Sequence, residues 1–156
     1  MGTRSLTHVI ATYKDSNNKK SKTTLLTMYR QFDGYLSGMG ADLVEFLKGS
    51  RVVNGLGMDD INSKRVFNGA GCLAAQLVAH FKQGAGGFYI EPPNAKNCGE
   101  EYTYDIEVDY DTSEVTLRCY EIGYMNKKNE YVNKKRILFE GKAEAFLEAV
   151  KEKQLA

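Results

Sequence analysis

Tryptophan is absent from this chain, proline and histidine occur twice each, and cysteine three times. Two histidines exclude a multi-histidine metal centre built from one chain. Cys72, Cys98 and Cys119 are odd in number and scattered, and none forms a CxxC or other zinc spacing, so a reducing compartment is the simplest expectation. A dominant charge is missing too: 21 Lys and Arg against 20 Asp and Glu leave a net charge of +1. Binders of duplex nucleic acid carry a clear basic excess, so that partner is not expected, whereas a small anion needs only one local cationic patch. No apolar run approaches the roughly 20 residues that span a bilayer. The first residues are polar alternating with apolar, so neither signal peptide nor membrane partner is expected and the expected location is cytoplasmic. Leu6 occupies the position where a myristoylation signal needs Ser or Thr. The chain has no GxGxxG, Walker loop, nucleophile elbow or Ser-His-Asp order, so no cofactor or catalytic residue is assigned.

What is present suits a single domain over residues 1–156: apolar and charged fractions of 42% and 26% are those of an ordinary globular protein. A domain of this size buries roughly 68–70% of its unfolded surface and needs no staples.

Residues 4–13 alternate and are rich in Thr, Val, Ile and Tyr, which predicts a strand. A polar hairpin loop follows, then a second strand over 22–31, apolar on both faces and so placed centrally in a sheet. Residues 41–48 predict a short helix with Leu43, Phe46 and Leu47 on one face, ended by Gly49. Residues 50–67 read as an irregular loop with a helical turn. A longer helix runs from Asn68 or Gly69 to about Gln83, with Leu73, Leu77, Val78 and Phe81 buried and Ala70, Gly71, Ala74 and Ala75 slim enough for close packing. Strands follow at 88–91, 102–110, 115–123 and 131–140. Pairing Tyr110 with Val115 sets Val108 against Leu117 and Glu107 against Arg118, a self-consistent register. Residues 142–153 predict an amphipathic helix with Ala143, Phe146, Leu147 and Val150 inward. The sum is an α+β fold: a mostly antiparallel sheet of about six strands with about three helices on one face.

The densest signal is the segment from Tyr29 to Gly40. A strand end, a three-glycine loop and a helix start can present backbone N–H groups to an anion. Gly34, Gly38 and Gly40 permit close approach, Arg30 offers a bidentate phosphate contact, and Tyr29, Phe32 and Tyr35 offer stacking surfaces. Asp33 can accept from a base or ribose, or orient Arg30. The competing reading is an ordinary Asp-Gly turn, with Phe32 and Tyr35 in the core and Arg30 paired. Other candidates read more simply as structure. His8 and His80 suit structural roles. The acidic face of Asp105, Glu107 and Asp109 suits solvation better than a divalent cation. Asp59-Asp60 suits a cap, Cys72 a small buried hydrophobe, and the lysine clusters at 19–22 and 127–136 exposed hairpin tips. Asn68-Gly69-Ala70-Gly71 could form the other wall of an anion site, but close helix packing is the favoured reading.

The opening Met1-Gly2-Thr3-Arg4-Ser5, with Phe32-Asp33-Gly34-Tyr35 and Gly38-x-Gly40, resembles a group of small, largely uncharacterised phage and viral proteins. These open with Gly-Thr-Arg-Ser and carry an aromatic-Asp-Gly-Tyr-Pro-x-Gly-x-Gly segment. The likeness covers about the first 45 residues; Leu36 replaces the proline and Phe32 the common tryptophan. It pairs Arg4 with the loop, beside Arg30 and Asp33. The resemblance supplies no reaction; taken with an anion-suited loop and no catalytic motif beside it, the expectation is a viral accessory protein, located in host cytoplasm, whose partner is an anionic small molecule, a nucleotide or a cyclic-nucleotide immune signal bound without turnover. Two alternatives stand beside that: an enzyme acting on a nucleotide or phosphoester with Asp33 or His8 as base, and a protein-binding inhibitor of a host factor. Homo-oligomer formation is neither required nor forbidden.

Overall fold

The computed structural model describes residues 2–155, with side chains described as far as Ala149. Strands β1 (Ser5–Lys14) and β2 (Lys20–Arg30) form a hairpin. Its turn is held by Asp15, whose Oδ1 accepts from the amides of Asn17 and Lys19, both at 2.9 Å. A π-helical turn, Leu36–Gly40, runs directly into helix α1 (Ala41–Leu47). Then come β3 (Arg51–Val53), a 3-10 turn at Met58–Asp60, β4 (Val66–Asn68), α2 (Gly69–Phe81) and β5 (Phe88–Glu91). The segment 92–101 leads to β6 (Tyr102–Asp109), β7 (Glu114–Met125), β8 (Tyr131–Gly141) and α3 (Ala143–Leu155).

The main sheet has six strands in the order β5-β2-β1-β6-β7-β8. Every pairing is antiparallel except the parallel seam of β1 with β6 at its middle. With three helices this is the expected α+β fold. Strand alternation separates its two faces. Thr7, Val9, Ala11, Leu26, Met28, Tyr104, Ile106, Val108, Leu117 and Cys119 lie on the face that meets the helices, where Leu43, Phe46, Phe67, Leu73, Leu77 and Phe146 complete the core.

The opposite face has no helix layer and is managed in two ways. Segment 92–101 crosses it as a strap: Thr27 Oγ1 donates to the Pro93 carbonyl at 2.7 Å and the Arg4 guanidinium lies against Gly99. Beneath the strap Leu6 is buried although it points away from the helices. Further along, a ladder of ion pairs spans the strands. Lys22 Nζ lies 3.0 Å from Glu107 Oε1, Arg118 Nη2 lies 3.1 Å from Glu107 Oε2, and Arg118 Nε donates to Glu140. Lys20 and Asp109 add a pair at 3.5 Å.

Several expectations are corrected. Strand β2 is not central: β1 and β6 are, and only the last four residues of β2 are covered by β5, which leaves Leu25 exposed. The β6–β7 register is two residues from the expected one, with Val108 opposite Val115 and Asp105 opposite Arg118. Asp109 causes the shift by capping the turn, its Oδ1 accepting from the amides of Asp111 at 2.8 Å and Thr112 at 3.4 Å. Tyr110 thereby leaves the strand, and its hydroxyl accepts from the Ala70 amide at the start of α2, at 3.1 Å. Glu107 and Arg118 still meet, but diagonally, and Glu107 is buried by that contact instead of solvated. Residues 50–67 contain the parallel pair β3–β4 as well as the expected turn. Asp60 takes the capping place in that turn and pairs with Arg51. Gly71 is exposed with open space around it, so close packing does not account for it. Cys72 is only partly buried and its Sγ lies 3.0 Å from Gln76 Oε1, while Leu147 is exposed. The Val150 side chain lies outside the described residues.

Candidate functional site

The segment from Tyr29 to Gly40 is occupied from within. The Asp33 carbonyl accepts from the Met39 amide at 2.8 Å, and the Tyr35 carbonyl accepts from Gly38 at 3.0 Å and Gly40 at 3.4 Å. The Ala41 amide turns back to Gly38 and Leu36. These bonds consume the donors that the anion reading required at the start of α1. The three glycines have packing partners. A Cβ on Gly38 would stand 2.2 Å from the Asp33 carbonyl oxygen, one on Gly34 2.8 Å from the backbone of Arg4, and one on Gly40 2.9 Å from the Phe146 ring. Gly34 is pinned further: its amide donates to the Thr3 carbonyl at 2.9 Å and its own carbonyl accepts from the Tyr104 hydroxyl at 2.6 Å. Burial pushes the Tyr104 phenol far above its ordinary range, so it remains a donor.

Arg30 is buried, 8% exposed. Its Nη1 donates to Asp42 Oδ2 at 2.7 Å and to Met39 Sδ at 3.2 Å, and its guanidinium lies 5.4 Å and 5.2 Å from the ring centres of Phe32 and Phe88. It therefore ties the end of β2 to α1. The expected meeting of Arg4 with Arg30 does not occur, because Ser5 pairs with Arg30 on the helix face while Arg4 lies under the strap on the other. Asp33 adopts φ +55 and its Oδ1 accepts from the Tyr35 hydroxyl at 3.1 Å, which raises the Tyr35 phenol. Phe32 and Tyr35 are exposed, not core. Tyr29 reaches the open face and tilts against Tyr89 with ring centres 6.1 Å apart.

Between strap and ion ladder the open face gathers His8 from β1, Asp105 opposite it on β6, Tyr120 from β7 and Lys135 from β8. Lys135 Nζ sits 3.9 Å from the centre of the Tyr120 ring. Burial and the nearby Asp105 raise the Tyr120 phenol. Asp105, Lys135 and Arg4 have no ion-pair partner among the described residues. His8 Nδ1 lies 2.8 Å from Thr27 Oγ1. Desolvation lowers the His8 pKa against the opposing pull of Asp105, with Lys135 lowering it further and Glu100 raising it. Sequence reasoning set His8 aside as structural, took Asp105 for part of an acidic face and did not single out Tyr120. Alternation places each on the polar face of its strand, but only the strand order brings them together.

The sign of the His8 shift gives a prediction. A histidine whose folded pKa lies below its unfolded value of about 6.5 contributes full stability above that pH and loses it as pH falls through the folded pKa. Burial raises the Glu107 carboxyl but hydrogen bonds from Arg118 and Lys22 outweigh it, so the net shift is downward and its contribution is lost only in more acid solution. The melting temperature is thus expected to fall from pH 7 to pH 5 and again below about pH 4.5, the model-peptide carboxylate range. His8→Gln should flatten the first decline and spare the second; a calorimetric pH series checks both.

Among the described residues no group of three or more His, Cys, Asp or Glu is placed to hold a metal ion, and no helix is long and apolar enough to cross a membrane. Comparison with family models, curated proteins and solved structures returned no match.

Proposed function

We propose that this protein binds a small anionic ligand of nucleotide type on the open face of its sheet and holds it without turnover. The observation that carries the reading is the convergence of His8, Asp105, Tyr120 and Lys135 from four strands onto one strip, with Lys135 unpaired against an aromatic ring. An ammonium suits a phosphate, a carboxylate suits a ribose hydroxyl or a base N–H, and Tyr29 and Tyr89 add aromatic surface on the same face. Arg4 supplies a second cation at the far end of the strap. In this reading the binding surface moves from the glycine loop to the sheet, and the loop becomes the brace that fixes β2 and α1. The resemblance of the first 45 residues to phage and viral proteins supports sequestration of a host nucleotide signal as the biological setting. The free ring nitrogen of His8 favours one runner-up, a phosphoester-processing enzyme with His8 as base.

Native mass spectrometry against mono-, di- and cyclic nucleotides separates the two. An intact adduct supports sequestration, a product mass selects the enzyme, and no adduct with any nucleotide removes the ligand class. Lys135→Ala should weaken binding roughly 10-fold or more, the scale of a lost charge-assisted hydrogen bond, without moving the melting temperature. If Arg4→Ala alone abolishes binding, the ligand lies at the other end of the strap.

A further inference from the structure

The strap that crosses the open face also sets the proton on His8. Thr27 Oγ1 sits 2.7 Å from the Pro93 carbonyl oxygen, which can only accept, so the threonine hydroxyl spends its one proton there. The same oxygen lies 2.8 Å from His8 Nδ1, and toward that nitrogen it has only a lone pair left to offer. The hydrogen at this contact therefore belongs to the histidine. A neutral imidazole protonated at Nδ1 carries an unprotonated Nε2, and the hydrogen bond at one ring nitrogen thus decides the chemistry of the other. The His8 ring makes no other hydrogen bond among the described residues. Nε2 is left as an acceptor. Asp105 stands opposite His8 on β6, and Lys135 on β8, over the Tyr120 ring, and Glu100 in the strap are close enough to act on its charge.

We propose that the Pro93–Thr27–His8 relay locks His8 as the Nδ1–H tautomer, so that Nε2 accepts a hydrogen bond from an N–H or O–H of the bound ligand. This rests on the nucleotide reading and sharpens it. The ligand must present a donor, such as an exocyclic amine, a ring N–H or a sugar hydroxyl, within reach of the phosphate that Lys135 holds. Thr27 acts through His8 and is a positioning residue; the strap is the reference that orients them both.

Long-range proton–nitrogen NMR of the ligand-free protein at neutral pH reads the tautomer directly. The expected result is a protonated Nδ1 and a bare Nε2 on His8, kept in Thr27→Ser and shifted toward Nε2–H in Thr27→Val. Protonation at Nε2 in the unsubstituted protein overturns the relay. Binding is then measured with adenosine and guanosine 5′-monophosphates and 3′,5′-cyclic nucleotides. His8→Phe should weaken it roughly 5- to 10-fold, as for one lost hydrogen bond, and His8→Gln, whose side-chain oxygen can replace the acceptor, should recover part of the loss. Equal binding by His8→Phe sinks the acceptor role and leaves the nucleotide reading standing. Failure of the unsubstituted protein to bind any of these nucleotides sinks both.

Discussion

Gly38→Ala is expected to cost about 3 kcal/mol or more, the upper end of overpacking penalties, and to lower the melting temperature by roughly 6–12 °C at about 2–4 °C per kcal/mol for a domain of this size. The new methyl group would stand 2.2 Å from the Asp33 carbonyl oxygen. That oxygen is backbone, it already accepts from the Met39 amide, and it sits where the chain turns through φ +55 at Asp33. Relief requires the π-helical turn to open, which pulls α1 away from the core. Gly40→Ala meets the far edge of the Phe146 ring at 2.9 Å, a side chain able to shift, and should cost less. Thermal unfolding of the two variants tests the order. The glycines of a ligand loop would give the opposite pattern, in which binding is lost and the melting temperature keeps its value.

The second large effect is expected at Arg30. Arg30→Ala removes a buried guanidinium, its contact with Asp42 and the filling between Phe32 and Phe88. A loss of about 2–4 kcal/mol follows, near the range for truncating a large buried side chain. Asp42→Ala should also be costly, because it leaves the buried Arg30 guanidinium without its carboxylate partner. Arg30→Lys should not restore stability, since an ammonium lacks the planar fork and stacks poorly. Arg30→Met should restore most of it, since a flexible apolar chain fills the same slot and removes the buried Nε that has no partner. Denaturant titration of the four variants ranks them. If Arg30→Ala binds less nucleotide but unfolds at the same denaturant concentration as the unsubstituted protein, Arg30 belongs to the ligand and not to the scaffold.

The scaffold was largely legible because its signals are local. The alternation at Tyr104, Ile106 and Val108 marks β6, and the glycines at 49 and 84 stop α1 and α2 close to where the chain turns. What was lost depends on information outside the local pattern. Strands β3 and β4 are three residues each, too short for any alternation to register, and they exist through their parallel pairing. The β6–β7 register moved by two residues because one carboxylate, Asp109, prefers to cap the turn. The glycine loop misled for a different reason. A missing Cβ says that something comes close, but not whether it is a ligand or another stretch of the same backbone. His8, Asp105, Tyr120 and Lys135 lie far apart in sequence, and no spacing rule links them. Their meeting is a property of strand order.

The parallel seam of β1 with β6 has a consequence for how the chain assembles. On one side lie the β1–β2 hairpin and β5, on the other the β6–β7–β8 meander; the hairpin and the meander can each zip from nearby turns, while β5 reaches β2 only across residues 31–87. The seam joins Ser5 to Tyr102 and Thr12 to Asp109, so it forms only after most of the chain between has been brought round. Contacts so distant in sequence pay the entropy of closing a long loop before they return any pairing energy, and folding slows accordingly. The seam is therefore the step at which the two halves commit to one another. Truncating Ile106 at the seam is expected to slow refolding, whereas truncating Phe139 at the far edge should mainly hasten unfolding, a difference that stopped-flow chevrons resolve. The Pro93–Thr27–His8 relay lies within the half that holds β1, β2 and β5, whereas Asp105, Tyr120 and Lys135 belong to the meander, so the strip that gathers all of them comes into being only when the halves have met.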